Sequence, residues 1–153
     1  MMPAPIIHLT GEPLVLADLE ARLPADPGVG AVASFTGKVR ANDDLSALEL
    51  TRHPVLTASA LQRIGETAID RFDLAGLLIA HRYGRMAPGE PIVHIVALAA
   101  HRRAALDATA FAIDVLKTEA PFWKREWRGE TARWVETTSA DQEKAGQWLE
   151  TGR

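Results

Sequence analysis

Pro121 interrupts a strongly apolar helical pattern, and that interruption constrains what this chain can fold into more than any other residue. From about Ala104 to Thr118 the apolar positions Leu106, Ala110, Phe111, Ile113, Val115 and Leu116 recur at helical spacing, broken only by Asp107, Thr109 and Asp114. Such a segment predicts a buried helix. Proline lacks the N–H that a helix interior needs and drives the residue before it, here Ala120, out of the α region. The helix must therefore end near Glu119 and the chain must turn. The stretch Leu116-Lys-Thr-Glu-Ala-Pro-Phe-Trp-Lys-Arg-Glu126 then carries Lys117 before the bend and Lys124 after it. On an unbroken helix these lysines would stand two turns apart, too far to act on one atom. The bend lets the two amines converge. Phe122 and Trp123 are expected to anchor the turn, while Arg125 and Glu126 continue the charged run. The residues alone leave a plainer alternative open, in which both lysines are solvated cations facing the negative end of the helix dipole.

The remaining elements follow from periodicity and breakers. Pro5 to Leu9 predicts a short strand, and Leu14 to Leu23 a short helix stopped by Pro24, Pro27 and Gly28. Val29 to Arg40 predicts a buried strand in which Gly37 permits a bulge or a close backbone approach. Lys38 and Arg40 fall at its end and would project the same way in a regular strand. Ala41 to Asp44 is turn chemistry, and Leu45 to His53 alternates as a half-buried strand, so the two are expected to form a hairpin. After Pro54, the residues Leu56, Ala60, Leu61, Ile64, Ala68 and Phe72 mark one face of a helix over about 57–72. Leu77 to Tyr83 and Pro91 to Ala100 predict an antiparallel pair, with Pro88-Gly89 at the centre of a type II turn. Arg133 to Glu136 predicts a last short strand, and Ser139 with Gln142 gives a capping box for a terminal helix through Trp148 and Leu149. Strands and helices that alternate irregularly make the fold class α+β. His81 and His94 lie inside strands with no carboxylate or second histidine at ligand spacing, so they are expected to be satisfied histidines, and no metal site is assigned.

At 153 residues the chain fits a single domain. Its formal net charge of −3 gives no global attraction to nucleic acid or to acidic membranes, so an anion site must be a local basic cluster. There is no cysteine, which excludes disulfides, thiolate metal sites and a persulfide carried by the chain itself. Met1 to His8 has no basic segment followed by a long apolar run, and the most apolar stretch, Ile92 to Ala100, is half a membrane span and contains His94. A cytoplasmic protein is expected.

Lys117-Thr-Glu-Ala-Pro-Phe-Trp-Lys-Arg-Glu126 resembles the signature of the large, catalytic subunit of molybdopterin synthase, the MoaE family. Gly37-Lys38-Val39-Arg40, His81-Arg82-Tyr83-Gly84 followed by Gly89-Glu90, His101-Arg102 and Arg133-Trp134-Val135-Glu136 resemble the same family in the same order. The resemblance implies an α/β hammerhead-type fold with an additional antiparallel β subdomain. It also implies one catalytic domain over 1–153, with 1–28 as an N-terminal extension and 29–150 as the family-like core. The implied activity is sulfur transfer from the thiocarboxylated Gly-Gly terminus of a small ubiquitin-like subunit to cyclic pyranopterin monophosphate (precursor Z), with no cofactor. The implied assembly is a homodimer at the centre of a heterotetramer. Lys117 and Lys124 would be catalytic, and Lys38, Val39, Arg40, His101, Arg102, Arg125 and Glu126 would join them in binding substrate.

Arg40 and Arg102 suit a phosphate because a guanidinium stays charged and binds two oxygens at once. His101 could orient substrate or shuttle a proton. His101-Arg102 opens the helix that Lys117 ends, roughly 22 Å away along its axis, so one helix cannot bring both ends to one atom. Either another subunit intervenes or the ends serve different parts of the substrate. The chain departs from the family at Thr51 and His53, where an acidic residue and an aromatic are common, and in a short 42–45 loop. The departures at Thr51 and His53 leave room for an inactive homologue that only assembles with the small subunit. A non-catalytic module that stacks single-stranded nucleic acid on Trp123 and Trp127 is the rival from another class, opposed by the interleaved Glu119, Glu126 and Glu130.

Overall fold

The computed structural model describes residues 2–136 and 139–151, leaving out the side chains of 139, 140 and 149–151. Its elements run β1 (Ile6–Thr10), α1 (Leu16–Glu20), β2 (Ala31–Lys38), β3 (Ala47–Arg52), α2 (Leu56–Phe72), β4 (Gly76–Arg82), β5 (Gly84–Met86), β6 (Pro91–Ala99), α3 (Arg102–Glu119), β7 (Phe122–Arg128), β8 (Thr131–Val135) and α4 (Ser139–Thr151). The class is α+β. Two four-stranded sheets have the orders β1-β4-β6-β2 and β5-β3-β7-β8. In the first, β1 runs parallel to β4 while β4, β6 and β2 are mutually antiparallel. The second is antiparallel throughout.

Period-2 alternation along β4 divides the first sheet's two faces. Leu77 and Ile79 point into the main core, where α2 contributes Leu61, Ile64 and Ile69 and α3 contributes Ala108, Phe111, Ala112 and Leu116. Leu78 and Ala80 point the other way, against Leu14 and Leu19. The segment before residue 29 is thus built into the sheet through β1 and covers one face through α1. His94 is bound on that face between Thr36 Oγ1 at 2.8 Å and Glu20 Oε2 at 2.7 Å. A carboxylate only accepts, so His94 Nε2 carries the hydrogen in that bond. Helix α4 seats Trp148 edge-on against Phe72 and Phe111, with its indole N–H donating to Asp114 Oδ2 at 2.8 Å.

The expected hairpin of residues 29–40 with 45–53 does not form. Strand β2 pairs with β6 in the first sheet, and β3 pairs with β5 and β7 in the second. The turn chemistry itself is present: Leu45 N–H donates to the Asn42 carbonyl at 2.9 Å, and Asp43 and Asp44 take positive φ of 43° and 61°. That turn redirects the chain from one sheet to the other. Strand β2 is also not buried; it is an edge strand with Val32 64% exposed. Its Gly37 serves both expected purposes. The register shifts between Gly37 and Lys38, and a Cβ on Gly37 would lie 2.8 Å from Val93 Cγ1. Helix α3 is buried on one face only, with Leu106 49% exposed on the other.

Two strands escaped the periodicity reading, β5 and β7. The 122–128 segment is one of the second sheet's two inner strands, hydrogen-bonded to β3 on one side and β8 on the other. The type II turn is as expected: Pro88 precedes Gly89 at φ +93°, and Glu90 N–H donates to the Ala87 carbonyl at 3.1 Å. Helix α4 starts at Ser139, and the side chain expected to cap it lies outside the described residues.

Candidate active site

Helix α3 ends at Glu119 and Ala120 turns extended, with φ −81° and ψ 122°, as a residue before proline must. Pro121 then feeds directly into β7. The bend opens a cleft of about 630 Å³ between the two sheets. Lys117 enters from the last turn of α3, Lys124 and Glu126 from β7, and Lys38 and Arg40 from the irregular end of β2. Leu48, Leu50 and Ile92 give an apolar floor, and buried Val39 supplies backbone between Lys38 and Arg40. Glu136 and Asp141 add carboxylates to the wall. Four cations thus share a bowl with three acidic side chains, a mixed field that favours a bound anion without repelling every carboxylate-bearing partner.

Lys117 is exposed as a residue but lines the cleft, whose walls partly desolvate its amine. That desolvation, and next the positive charge of Lys124, lower its pKa from lysine's ordinary value, while Asp141 opposes them. The two amines feel each other across the bend. His81 also lines the cleft, stacked on Phe122 with ring centroids 4.0 Å apart. Its Nδ1 lies 2.9 Å from the Arg82 carbonyl, so Nδ1 bears the hydrogen and Nε2 is left as an acceptor. Burial lowers its pKa to about 4, helped by the charge of Lys117 and opposed by the Arg82 carbonyl. The imidazole is neutral at physiological pH.

Alternation along β7 splits the charged motif between two faces. Lys124 and Glu126 stand opposite Leu50 and Leu48, on the cleft side, while Arg125 stands opposite Glu49 on the outer side. Arg125 donates to Glu49 Oε1 through Nε at 3.2 Å and Nη2 at 2.7 Å, and Trp127 Nε1 donates to the same oxygen at 2.8 Å. These bonds, Arg125 first, hold the Glu49 carboxyl below its ordinary pKa. Arg125 is therefore not among the residues that line the cleft and serves as a strut between β3 and β7. Of the expected anchors of the turn, Phe122 packs inward on His81, whereas Trp123 is 49% exposed at the rim. Trp127 is covered by Arg85, 4.2 Å from its ring, so it is not a free base-stacking platform.

His101 and Arg102 are exposed at the start of α3 and do not line the cleft. Thr51 and His53 lie outside it too. Thr51 faces outward beside Trp123, and His53 Nδ1 accepts the N–H groups of Val55 and Leu56 at 3.1 and 3.0 Å, capping α2 as an acidic residue would. The short 42–45 loop does reach the cleft, through Asn42 and Leu45. Sequence reasoning missed His81 as a cleft residue although its motif had been singled out, and it missed Glu136 and Asp141, whose approach depends on how β8 and α4 return. Among the described residues no group of three or more His, Asp or Glu could hold a metal ion, and no helix is long and apolar enough to cross a membrane.

Residues 9–119 match the family model described as MoaE protein. The chain is 43% identical over 137 residues to the molybdopterin synthase catalytic subunit of Mesorhizobium japonicum, covering 88% of this chain and 86% of that one. The structure superposes on molybdopterin cofactor biosynthesis protein E from Burkholderia multivorans with a TM-score of 0.78 at 37% identity, over 96% of this chain and 98% of that one. The fold also matches a chain from the complex of subunits 1 and 2 of molybdopterin-converting factor from Helicobacter pylori, with a TM-score of 0.72 at 21% identity, over 87% and 92% of the two chains.

Proposed function

The chain belongs to the MoaE family, and from that premise we propose that the cleft is where a pyranopterin receives its sulfurs. The protein is a molybdopterin synthase catalytic subunit, a sulfurtransferase of molybdenum cofactor biosynthesis. Its substrate is cyclic pyranopterin monophosphate, and its sulfur arrives as a thiocarboxylate on the Gly-Gly terminus of a small ubiquitin-like partner. The reaction leaves a dithiolene on the pterin. A chain without cysteine has no thiol on which to relay sulfur, so the donor must come from outside.

The observation that carries this reading is the convergence of Lys117 and Lys124 on one cleft across the Pro121 bend. Lys117, with its lowered pKa, is the acid/base or tail-contacting group, and Lys124 completes the pair. Arg40 holds the phosphate, and Lys38, the Val39 backbone and Glu126 border it. The Glu49-bound Arg125 acts on substrate only by fixing β7. His101 and Arg102 lie at the far end of α3, so they act on the cleft of a second copy, Arg102 on phosphate and His101 on orientation or proton transfer. The working unit is a homodimer with a small subunit at each end, in the cytoplasm. The departures at Thr51 and His53 leave the cleft untouched, which favours an active subunit over an assembly-only homologue.

The test combines the chain with precursor Z and thiocarboxylated partner and follows dithiolene formation. Product is expected only with the partner; product at the same rate from free sulfide alone would sink the proposal.

A further inference from the structure

Thr57 has no part in the chemistry proposed above, yet it is fully buried at the corner that joins the two lysines. Its hydroxyl donates to the Pro121 carbonyl at 2.6 Å and accepts the His53 N–H at 2.9 Å. The last registered pair of the β3–β7 ladder is Arg52 with Phe122, so His53 and Pro121 are the next pair along. A direct rung there would bring N and O to about 2.9 Å. The Thr57 hydroxyl stands in its place, a two-bond relay that satisfies both backbone groups while holding the strands apart. This happens where the chain leaves α3 and enters β7. The Ala120 N–H is already spent on the Leu116 carbonyl at 3.2 Å, and Pro121 has no N–H, so the Pro121 carbonyl is the corner's handle on the rest of the fold.

We propose that Thr57 is a positioning residue for the active site: its hydroxyl sets the height of the Pro121 corner, and with it the approach of Lys117 and Lys124 to each other. The inference rests on the reading that both amines serve one substrate. Displacing a reacting group by about 1 Å can cost on the order of 10²-fold in rate, so a small sag at this corner has a large readout.

Thr57→Val keeps the shape and removes both hydrogen bonds; Thr57→Ser keeps both bonds and removes a buried methyl. With thiocarboxylated partner and precursor Z, Thr57→Val is expected to lower kcat by about 10–10²-fold with KM nearly unchanged. Thr57→Ser is expected to stay near wild type although its Tm also falls. A second readout needs no turnover. Reductive methylation with ¹³C label and NMR of the chain alone follows the Lys117 titration, which should move in Thr57→Val and stay in Thr57→Ser. Wild-type kcat in Thr57→Val, or kcat losses in both variants that track their Tm losses, overturns the proposal. If the wild-type chain makes no product, the functional reading fails instead, and the NMR comparison alone decides: an unmoved Lys117 titration in Thr57→Val overturns the role of Thr57. Should Thr57→Val not fold, Thr57→Ala against Thr57→Ser makes the same comparison.

Discussion

Replacing Lys117 separates chemistry from folding more cleanly than any other change in this chain. Two terms act on the folded state and they oppose each other. A cation in the last turn of α3 gains about 0.3–1 kcal/mol from the helix dipole. Crowding of the amine and the nearby charge of Lys124 work against that gain, as the lowered pKa records. The sign follows from linkage: with the folded pKa below the unfolded value of 10.5, the folded state binds the proton less tightly, and that penalty is fully present below the lowered pKa. It fades as pH rises toward 10.5. At neutral pH, Lys117→Ala should therefore unfold at nearly the wild-type denaturant midpoint. Turnover should not survive so well. If the amine moves a proton or meets the thiocarboxylate in the transition state, its loss lowers the rate by roughly 10²–10⁴-fold, about 3–5 kcal/mol of barrier.

Lys117→Arg then divides the possible roles. Arginine keeps the charge but cannot readily release a proton. An electrostatic role predicts that Arg restores most of the rate, and a proton-transfer role predicts that it does not. If the neutral amine is the working form, the rate rises with pH through the lowered Lys117 pKa. Lys124→Met, which removes the second cause of that lowering, moves the rise to higher pH. The assay is single-turnover dithiolene formation at saturating partner, with binding of the partner confirmed for each variant. Near-wild-type turnover by Lys117→Ala would refute the reasoning and return Lys117 to a cation at a helix end.

Three other outcomes are expected. His81 is held at a pKa of about 4 against 6.5 by burial, so the unfolded state binds more protons between those values and stability falls as pH drops through that window; the difference approaches about 3 kcal/mol below pH 4. His81→Phe, which keeps a flat ring against Phe122, should show a shallower loss between pH 6.5 and 4 in urea titrations, and an unchanged slope would contradict it. Glu49→Gln weakens the bonds to Arg125 and Trp127, costing about 1–2 kcal/mol at pH 7 with the pair 25% and 32% exposed. Because the Glu49 pKa is lowered, that difference from wild type should persist above pH 4.5 and vanish as pH falls through the lowered value. Gly37→Ala drives a methyl to 2.8 Å from Val93 Cγ1 and should cost about 1–3 kcal/mol in thermal unfolding, with Val93→Ala in the same chain relieving part of it.

Local rules carried much of the fold into the sequence. The Pro121 stop, the Pro88-Gly89 turn, the Gly37 bulge and the periodicity of α2 and α3 each depend on a few neighbouring residues, and each appears in the structure. Strand partnership was not legible. Residues 41–44 have the turn residues of a hairpin, yet β2 finds β6 and β3 finds β7: Ala33 joins the core under α2 and α3, while Leu48 and Leu50 join a separate cluster with Val39 and Met86. Turn chemistry fixes that the chain bends; which strand it then pairs with is decided by cores assembled from distant residues.

The motif from Lys117 to Glu126 shows why a signature read as one cluster is not one site. Read along the sequence, Lys124, Arg125 and Glu126 form a continuous charged run. As a strand, they alternate: Lys124 and Glu126 face the cleft, and Arg125 faces Glu49. Phe-Trp-Lys-Arg-Glu-Trp-Arg has too many long charged side chains to announce a strand by hydrophobic alternation, so its period was hidden. The period matters for chemistry. It leaves Lys124 next to Lys117 without a third cation from Arg125, whose charge would lower the Lys117 pKa further and whose guanidinium would compete for the same anion. Carrying that arginine on the outer face, tied to Glu49, turns it into support for the strand that presents Lys124. The cleft accordingly keeps the Lys117 and Lys124 amines together at the bend and leaves Lys38 and the fixed positive charge of Arg40 to its other wall.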